Sequence, residues 1–122
     1  MNTFFENIKQ GLHRILKAFV YSYDGFKAIL KSEPAFRQEL VLVAVLAPLS
    51  LRFDVSTASH AIMIFSLFFI LFAEMVNTAI EVVIDRISPD VHPLSKKAKD
   101  IGSLMVLLAF INVFVIWAVI LL

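Results

Sequence analysis

From residue 61 to residue 85 the chain offers a helix no place to stop: it contains neither Gly nor Pro and opens with thirteen residues, 61–73, that are almost all apolar. Polar groups then appear, but only at selected positions. On a helix Glu74, Asn77, Thr78, Glu81 and Asp85 fall at i, i+3, i+4, i+7 and i+11 and therefore share one face, while Met75, Val76, Ile80, Val83 and Ile84 keep the opposite face apolar. A carboxylate at the centre of a bilayer costs about 2.5–3.5 kcal/mol on insertion scales. An acidic stripe continuing such a run needs protonation, basic partners, a bound cation or a place near the membrane surface. A lone Glu here reads simply as the end of a span facing headgroups; two Glu on one face with Asn77 between them read as a site.

The rest of the chain supports a membrane setting. Hydrophobic residues make up 60% of the 122 residues, against about 45–50% in soluble domains, so one all-helical integral membrane domain is expected over residues 1–122. The net charge of +1 gives no polybasic surface and argues against a nucleic-acid partner. The absence of Cys removes thiolate metal sites and disulfides. Residues 1–31 lack the unbroken apolar core of a signal peptide.

In chain order, residues 4–31 read as a basic, aromatic amphipathic helix lying in the interface plane, with Phe4, Phe5, Ile8, Leu12, Ile15, Leu16, Phe19 and Val20 on one face and Gly25 a point where it bends. Ser32 reads as a cap and Pro34 as first-turn residue of a first span over about 35–52, with Pro48 kinking its far end. After a polar turn at 52–57, where Ser56 or Thr57 caps, a second span covers about 58–84. Residues 86–100 read as a polar loop, and the third span covers about 100–122, uncharged from Leu104 onward. Lys9, Arg14, Lys17, Lys27, Lys31 and Arg37 precede the first span, and Arg86, Lys96, Lys97 and Lys99 lie between the second and third; the other side has only Arg52. The positive-inside rule then puts the N-terminus in the cytoplasm and the C-terminus outside a bacterial inner membrane.

That topology gathers Glu33, Arg37, Glu39, Glu74, Asn77, Glu81, Asp85, Lys96, Lys99 and Asp100 at the cytoplasmic interface. His13, His60 and His92 fall in separate regions, which argues against a zinc site. Carboxylates with an amide are hard oxygen ligands suited to Mg²⁺, which takes one or two carboxylates plus substrate phosphates. Phosphoryl transfer fits this set, although Gly11, Gly25 and Gly102 are too scattered for a glycine-rich phosphate loop. A cation-coupled transport component is the rival of a different class, but transport wants polar groups on both sides and the outer half of every span is nearly pure hydrocarbon. A small scaffold subunit would leave the carboxylates unexplained.

Three segments resemble a known family. Glu33-Pro34-Ala35-Phe36-Arg37-Gln38-Glu39, then Glu74-x-x-Asn77-Thr78-Ala79-Ile80-Glu81 with Asp85, then Ala98-Lys99-Asp100 followed by Gly102-Ser103 are similar to the prokaryotic diacylglycerol kinases, in order and over most of the chain. The resemblance implies a homotrimer of three-span subunits with shared sites, transferring the γ-phosphate of ATP to the hydroxyl of diacylglycerol. It implies Glu74 as general base and Glu33 and Glu81 as Mg²⁺ ligands. Asn77, Lys99 and Asp100 would position the phosphates, and Arg14, Tyr21 and Asp90-Val91-His92 would touch nucleotide. Ala35, Phe36, Arg37, Gln38, Glu39, Ser103 and Trp117 would border the lipid, as Arg14 and Tyr21 also do. Tyr23, Asp24 and Arg52 depart from the expected pattern. Some members phosphorylate undecaprenol instead; the Ala-Phe-Arg-Gln-Glu run favours diacylglycerol.

Overall fold

Pro34, the 51–56 segment and Pro93 divide the chain into four helices. The computed structural model describes residues 2–122, with α1 spanning Asn2–Ser32, α2 Pro34–Ser50, α3 Thr57–Ile87 and α4 Pro93–Leu121. Helix α1 forms one compact unit and Glu33–Leu122 the other.

Helix α1 runs unbroken through Gly25, where a bend was expected. Its apolar face stays uncovered: Phe4, Phe19 and Leu16 are 65%, 71% and 64% exposed. The 31 residues amount to a rod about 46 Å long, too polar on its other faces to cross hydrocarbon.

In the second unit, the cap of helix α2 lies one residue later than the sequence suggested. Pro34 occupies the first helical position, so the residue before it, Glu33, is the cap and is extended (φ −114°, ψ 100°), while Ser32 closes α1. Proline explains both facts, because its ring fits the first helical turn and pushes the preceding residue out of the helical region. At the other end Pro48 lies in the last turn, and the helix stops at Ser50. The connection is fastened to α3: Ser56 Oγ accepts from Ser59 N at 3.1 Å, capping the helix, and the His60 ring is bonded to Phe53 O at 3.0 Å.

Helix α3 is the centre of this unit, with α2 and α4 both packed on it. Met63, Leu67 and Ile70 are fully buried. Ile70 and Ala73 meet Ala109 of α4 in a core completed by Leu42, Phe69, Met105, Val106, Phe110 and Val113. Of the residues expected to form an apolar back face, Met75 and Val83 are exposed, while Val76, Ile80 and Ile84 are half-buried.

The expected loop over residues 86–100 is mostly helix. Only 88–92 connect α3 to α4, because Pro93 is the first residue of α4, not a turn residue, and His92 Nδ1 caps it by accepting from Leu94 N at 3.1 Å. Charged residues at 96–100 masked this start, yet they suit a helix: Lys96 and Asp100 pair at i, i+4.

Helices α3 and α4 are long and apolar enough to cross a membrane, with mean hydropathies of 2.0 and 2.9. In α4 only 6% of the most apolar window is buried, against 39% in α3. A helix that apolar and that uncovered needs hydrocarbon or protein around it. Helix α2, at 17 residues, is about 26 Å long and falls short of the ~30 Å hydrocarbon thickness.

Small residues let α4 approach α3. Gly102 is buried, and a Cβ built on it would collide with the Asn77 amide. Gly102→Leu is therefore expected to separate the two helices and destabilise the fold by about 1–3 kcal/mol, the usual cost of overpacking, read as a lower thermal midpoint in detergent. Gly102→Ala should cost less, since the amide is the end of a movable side chain.

Candidate functional site

At the end of the unit where α2 begins and α3 finishes, polar side chains replace the hydrocarbon core. Helical spacing does the positioning. In α2 the buried residues are Phe36, Glu39, Val43 and Ser50, so Glu39 shares the inward stripe with Phe36 while Ala35, Arg37 and Gln38 are exposed. In α3 the inward stripe passes from Leu67, Ile70 and Leu71 to Glu74, Asn77 and Thr78. Glu39 is 7% exposed and Glu74 6%, both on the inward stripes of their helices. Glu33 and Glu81 both lie near enough to act electrostatically on Glu74. The stripe then emerges: Glu81 is half-buried and Asp85 exposed.

Three buried atoms here have no hydrogen-bond partner: Glu39 Oε2, Asn77 Oδ1 and Thr78 Oγ1. Buried polar groups are normally satisfied, so their gathering on two facing helices marks a place built for a polar guest.

Beside this cluster lies a cleft of about 270 Å³ between the end of α3 and the start of α4, with Asp85, Asp90, Val91, His92, Lys99 and Asp100 in its wall. Lys99 Nζ donates to Asp85 Oδ1 at 2.8 Å and Lys96 Nζ to Asp100 Oδ2 at 2.5 Å. Both lysines of the cleft are thus matched by carboxylates. Val91 is 98% exposed, so its side chain contacts little.

Taken together the structure brings Glu33, Glu39, Glu74, Asn77, Glu81 and Lys99 into one region, with Asp90, His92 and Asp100 in the adjoining cleft. Ser103 is exposed on the next turn of α4. Arg14 and Tyr21 are exposed on α1. Trp117 does not join the others. It stands 14 residues beyond Ser103, about 21 Å along α4, where its Nε1 donates to Ser66 Oγ at 3.3 Å and its ring meets Phe53 edge-on at 6.3 Å.

Sequence reasoning missed the roles of Thr78 and Gly102, and did not pair Asp85 with Lys99. Cross-helix pairing leaves no mark in spacing along one helix. For Gly102 a signal did exist, since a lone Gly inside a helical pattern often marks close packing.

Among the described residues no three His, Asp or Glu side chains converge to hold an ion by themselves. The donor chemistry still fits Mg²⁺, which commonly takes one or two carboxylates and completes its shell with water and phosphate. Glu33 and Glu81 would be those carboxylates. The charge balance agrees, since a region richer in carboxylates than in lysines repels a bare polyphosphate.

The sequence model described as prokaryotic diacylglycerol kinase matches residues 20–121. The chain belongs to the prokaryotic diacylglycerol kinase family. Its relatives include the Pseudomonas aeruginosa diacylglycerol kinase, 46% identical over 112 residues covering 92% of this chain and 91% of that one. The Escherichia coli K12 diacylglycerol kinase is 39% identical over 94% of each chain, and a Helicobacter pylori diacylglycerol kinase is 34% identical over 88% of this chain and 84% of its own. The family match takes in nearly the whole second unit, with Glu33, Glu39, Glu74 and Glu81 all inside it.

Because Trp117 is far along α4 from Glu74, Trp117→Phe should spare turnover while losing the bond to Ser66, a loss of about 1 kcal/mol. Thermal unfolding in detergent and a lipid phosphorylation assay on the same sample check both halves.

Proposed function

We propose that this protein is an ATP-dependent kinase that phosphorylates diacylglycerol to phosphatidic acid at the cytoplasmic face of the bacterial inner membrane. The observation that carries the reading is the buried Glu74, within electrostatic reach of Glu33 and Glu81, in a chain of this family. The names of the relatives support the lipid.

In the proposed reaction Glu74 accepts the proton of the lipid hydroxyl as its oxygen bonds to the γ-phosphorus of ATP. The bond from that phosphorus to the β–γ bridging oxygen breaks, and ADP leaves. Bound Mg²⁺ would neutralise phosphate charge. Glu33 and Glu81 would hold it; Asn77, Lys99 and Asp100 would orient the phosphates, and the side of α2 bearing Arg37 and Gln38 would face the glycerol headgroup. Low exposure around Glu74 keeps water, the competing nucleophile, away from the transferred group.

The same proposal places α2 as a third, short span, completed by the interfacial residues at its ends, with α1 lying on the cytoplasmic surface. It includes a homotrimer, in which neighbouring subunits cover the apolar outside of α4 and share the sites.

Glu74→Gln is expected to lower turnover by about 10²–10⁴-fold, the usual worth of a positioned base, with the protein still folded by circular dichroism. Near-normal turnover would remove Glu74 from that role. Glu33→Gln and Glu81→Gln should each raise the Mg²⁺ concentration needed for half-maximal rate; an unshifted requirement in both would refute the metal assignment. Since the chain has no Cys, single replacements report sidedness directly. Lys97→Cys should react with an impermeant thiol reagent only in inverted vesicles, and Asp54→Cys only in right-side-out ones. The reverse pattern would invert the topology.

A further inference from the structure

Lys99 is the ammonium that a bound polyphosphate would meet, and in this chain it is already engaged. Its Nζ donates to Asp85 Oδ1 at 2.8 Å. The two residues lie 14 positions apart, one on α4 and one on α3, so packing between helices sets the pair. The neighbouring pair, Lys96 with Asp100, forms within α4 alone. Both side chains of the first pair stay open to solvent, 42% exposed for Lys99 and 64% for Asp85, and both stand in the wall of the 270 Å³ cleft. Exposed ion pairs add little to stability, and close packing at Gly102 and Ala109 already docks α4 on α3. The pair is thus better explained by what the cleft receives than by what holds the helices together.

We propose that Asp85 is a specificity-determining residue: paired with Lys99, it cancels the ammonium charge, so that the cleft accepts a nucleoside triphosphate with its divalent cation and rejects the bare polyphosphate. This rests on Lys99 meeting the phosphates. An ammonium has three donors; one goes to Asp85 and two remain. A phosphate oxygen that takes either of them comes within about 5 Å of the Asp85 carboxylate. Like charges at that range repel appreciably even when partly solvated. The rest of the wall gives no relief, since Asp85, Asp90 and Asp100 outnumber Lys96 and Lys99. A bare triphosphate therefore gains hydrogen bonds from Lys99 but meets an unanswered carboxylate, whereas a cation-bound triphosphate brings the charge that answers it. Asp85 makes and breaks no bond in the transfer. It acts earlier, by deciding which form of the nucleotide occupies the cleft, and so keeps out a form that would block the site unproductively.

The test measures ATP binding to the full chain in detergent by titration calorimetry, once in EDTA and once with excess Mg²⁺. The parent is compared with Asp85→Asn, Asp85→Glu and Asp90→Asn; Asp90 is a carboxylate of the same wall without a lysine partner among the described residues. The readout is the preference for the Mg²⁺-bound form, the ratio of the two dissociation constants. In Asp85→Asn this preference is expected to fall about tenfold, chiefly through tighter binding in EDTA. Asp85→Glu should keep the parent ratio, and Asp90→Asn should move it less. Equal shifts in Asp85→Asn and Asp90→Asn would assign the effect to net charge alone and overturn the proposal. An unmoved ratio with both constants weakened would make Asp85 an anchor for the lysine side chain and overturn it too. The thermal midpoint without nucleotide should barely move in Asp85→Asn; a large fall would make the pair structural and sink the proposal. Failure of the underlying reading looks different: a parent that binds no ATP even with Mg²⁺ removes the nucleotide site itself, whereas a parent that binds it with a ratio indifferent to Asp85 removes only the selectivity role.

Discussion

Placing acids inside an apolar helix bundle is the constraint from which the arrangement follows. Hydrocarbon gives an ionised carboxylate nothing to replace water, and the penalty grows with depth. Here the acids are kept to one end of α3, and burial falls steadily from Glu74 through Glu81 to Asp85. The deepest of them, Glu74, shares the inward stripe of α3 with Asn77 and Thr78. Toward the other end α3 is filled by Met63, Leu67 and Ile70, and its buried hydroxyl, Ser66 Oγ, is satisfied within the bundle by Met63 O and Trp117. One end is therefore closed and self-sufficient, and the other holds unsatisfied oxygen atoms.

Small side chains make this possible. Helix α4 has almost no buried surface of its own, yet Gly102 and Ala109 let it press against α3 at two levels. At Gly102 the Asn77 amide fills the space that a Cβ would need, and Asn77 belongs to the same inward stripe as Glu74. Packing and site are thus coupled: the contact that docks α4 lies beside a polar group that the proposed nucleotide would meet. The same closeness brings Lys99 within reach of Asp85.

Much of this was legible from residue order. The period of the apolar residues located α3, and the positions of Glu74, Asn77, Glu81 and Asp85 predicted one polar face, because helix geometry is local. The Ser56 cap was legible for the same reason. The start of α4 was not: Lys96, Lys97, Lys99 and Asp100 looked like loop, and only Pro93 with the His92 cap reveals that the helix starts before the apolar run. Pro34 carried the converse lesson, since its ring places the cap at Glu33 and leaves Ser32 to α1. The pairing of Asp85 with Lys99 between helices depends on how the helices rotate against each other, which no single-helix pattern records.

The central claim is that this acidic end joins a nucleotide to a lipid alcohol. Incubating the purified protein with γ-phosphate-labelled ATP and a panel of lipid alcohols, with and without Mg²⁺, and separating the lipids by thin-layer chromatography tests it most directly. The account predicts label in phosphatidic acid when diacylglycerol and Mg²⁺ are both present, with undecaprenol a poor acceptor. Preferential labelling of undecaprenol would correct the substrate, and no labelled lipid under any condition would contradict the account.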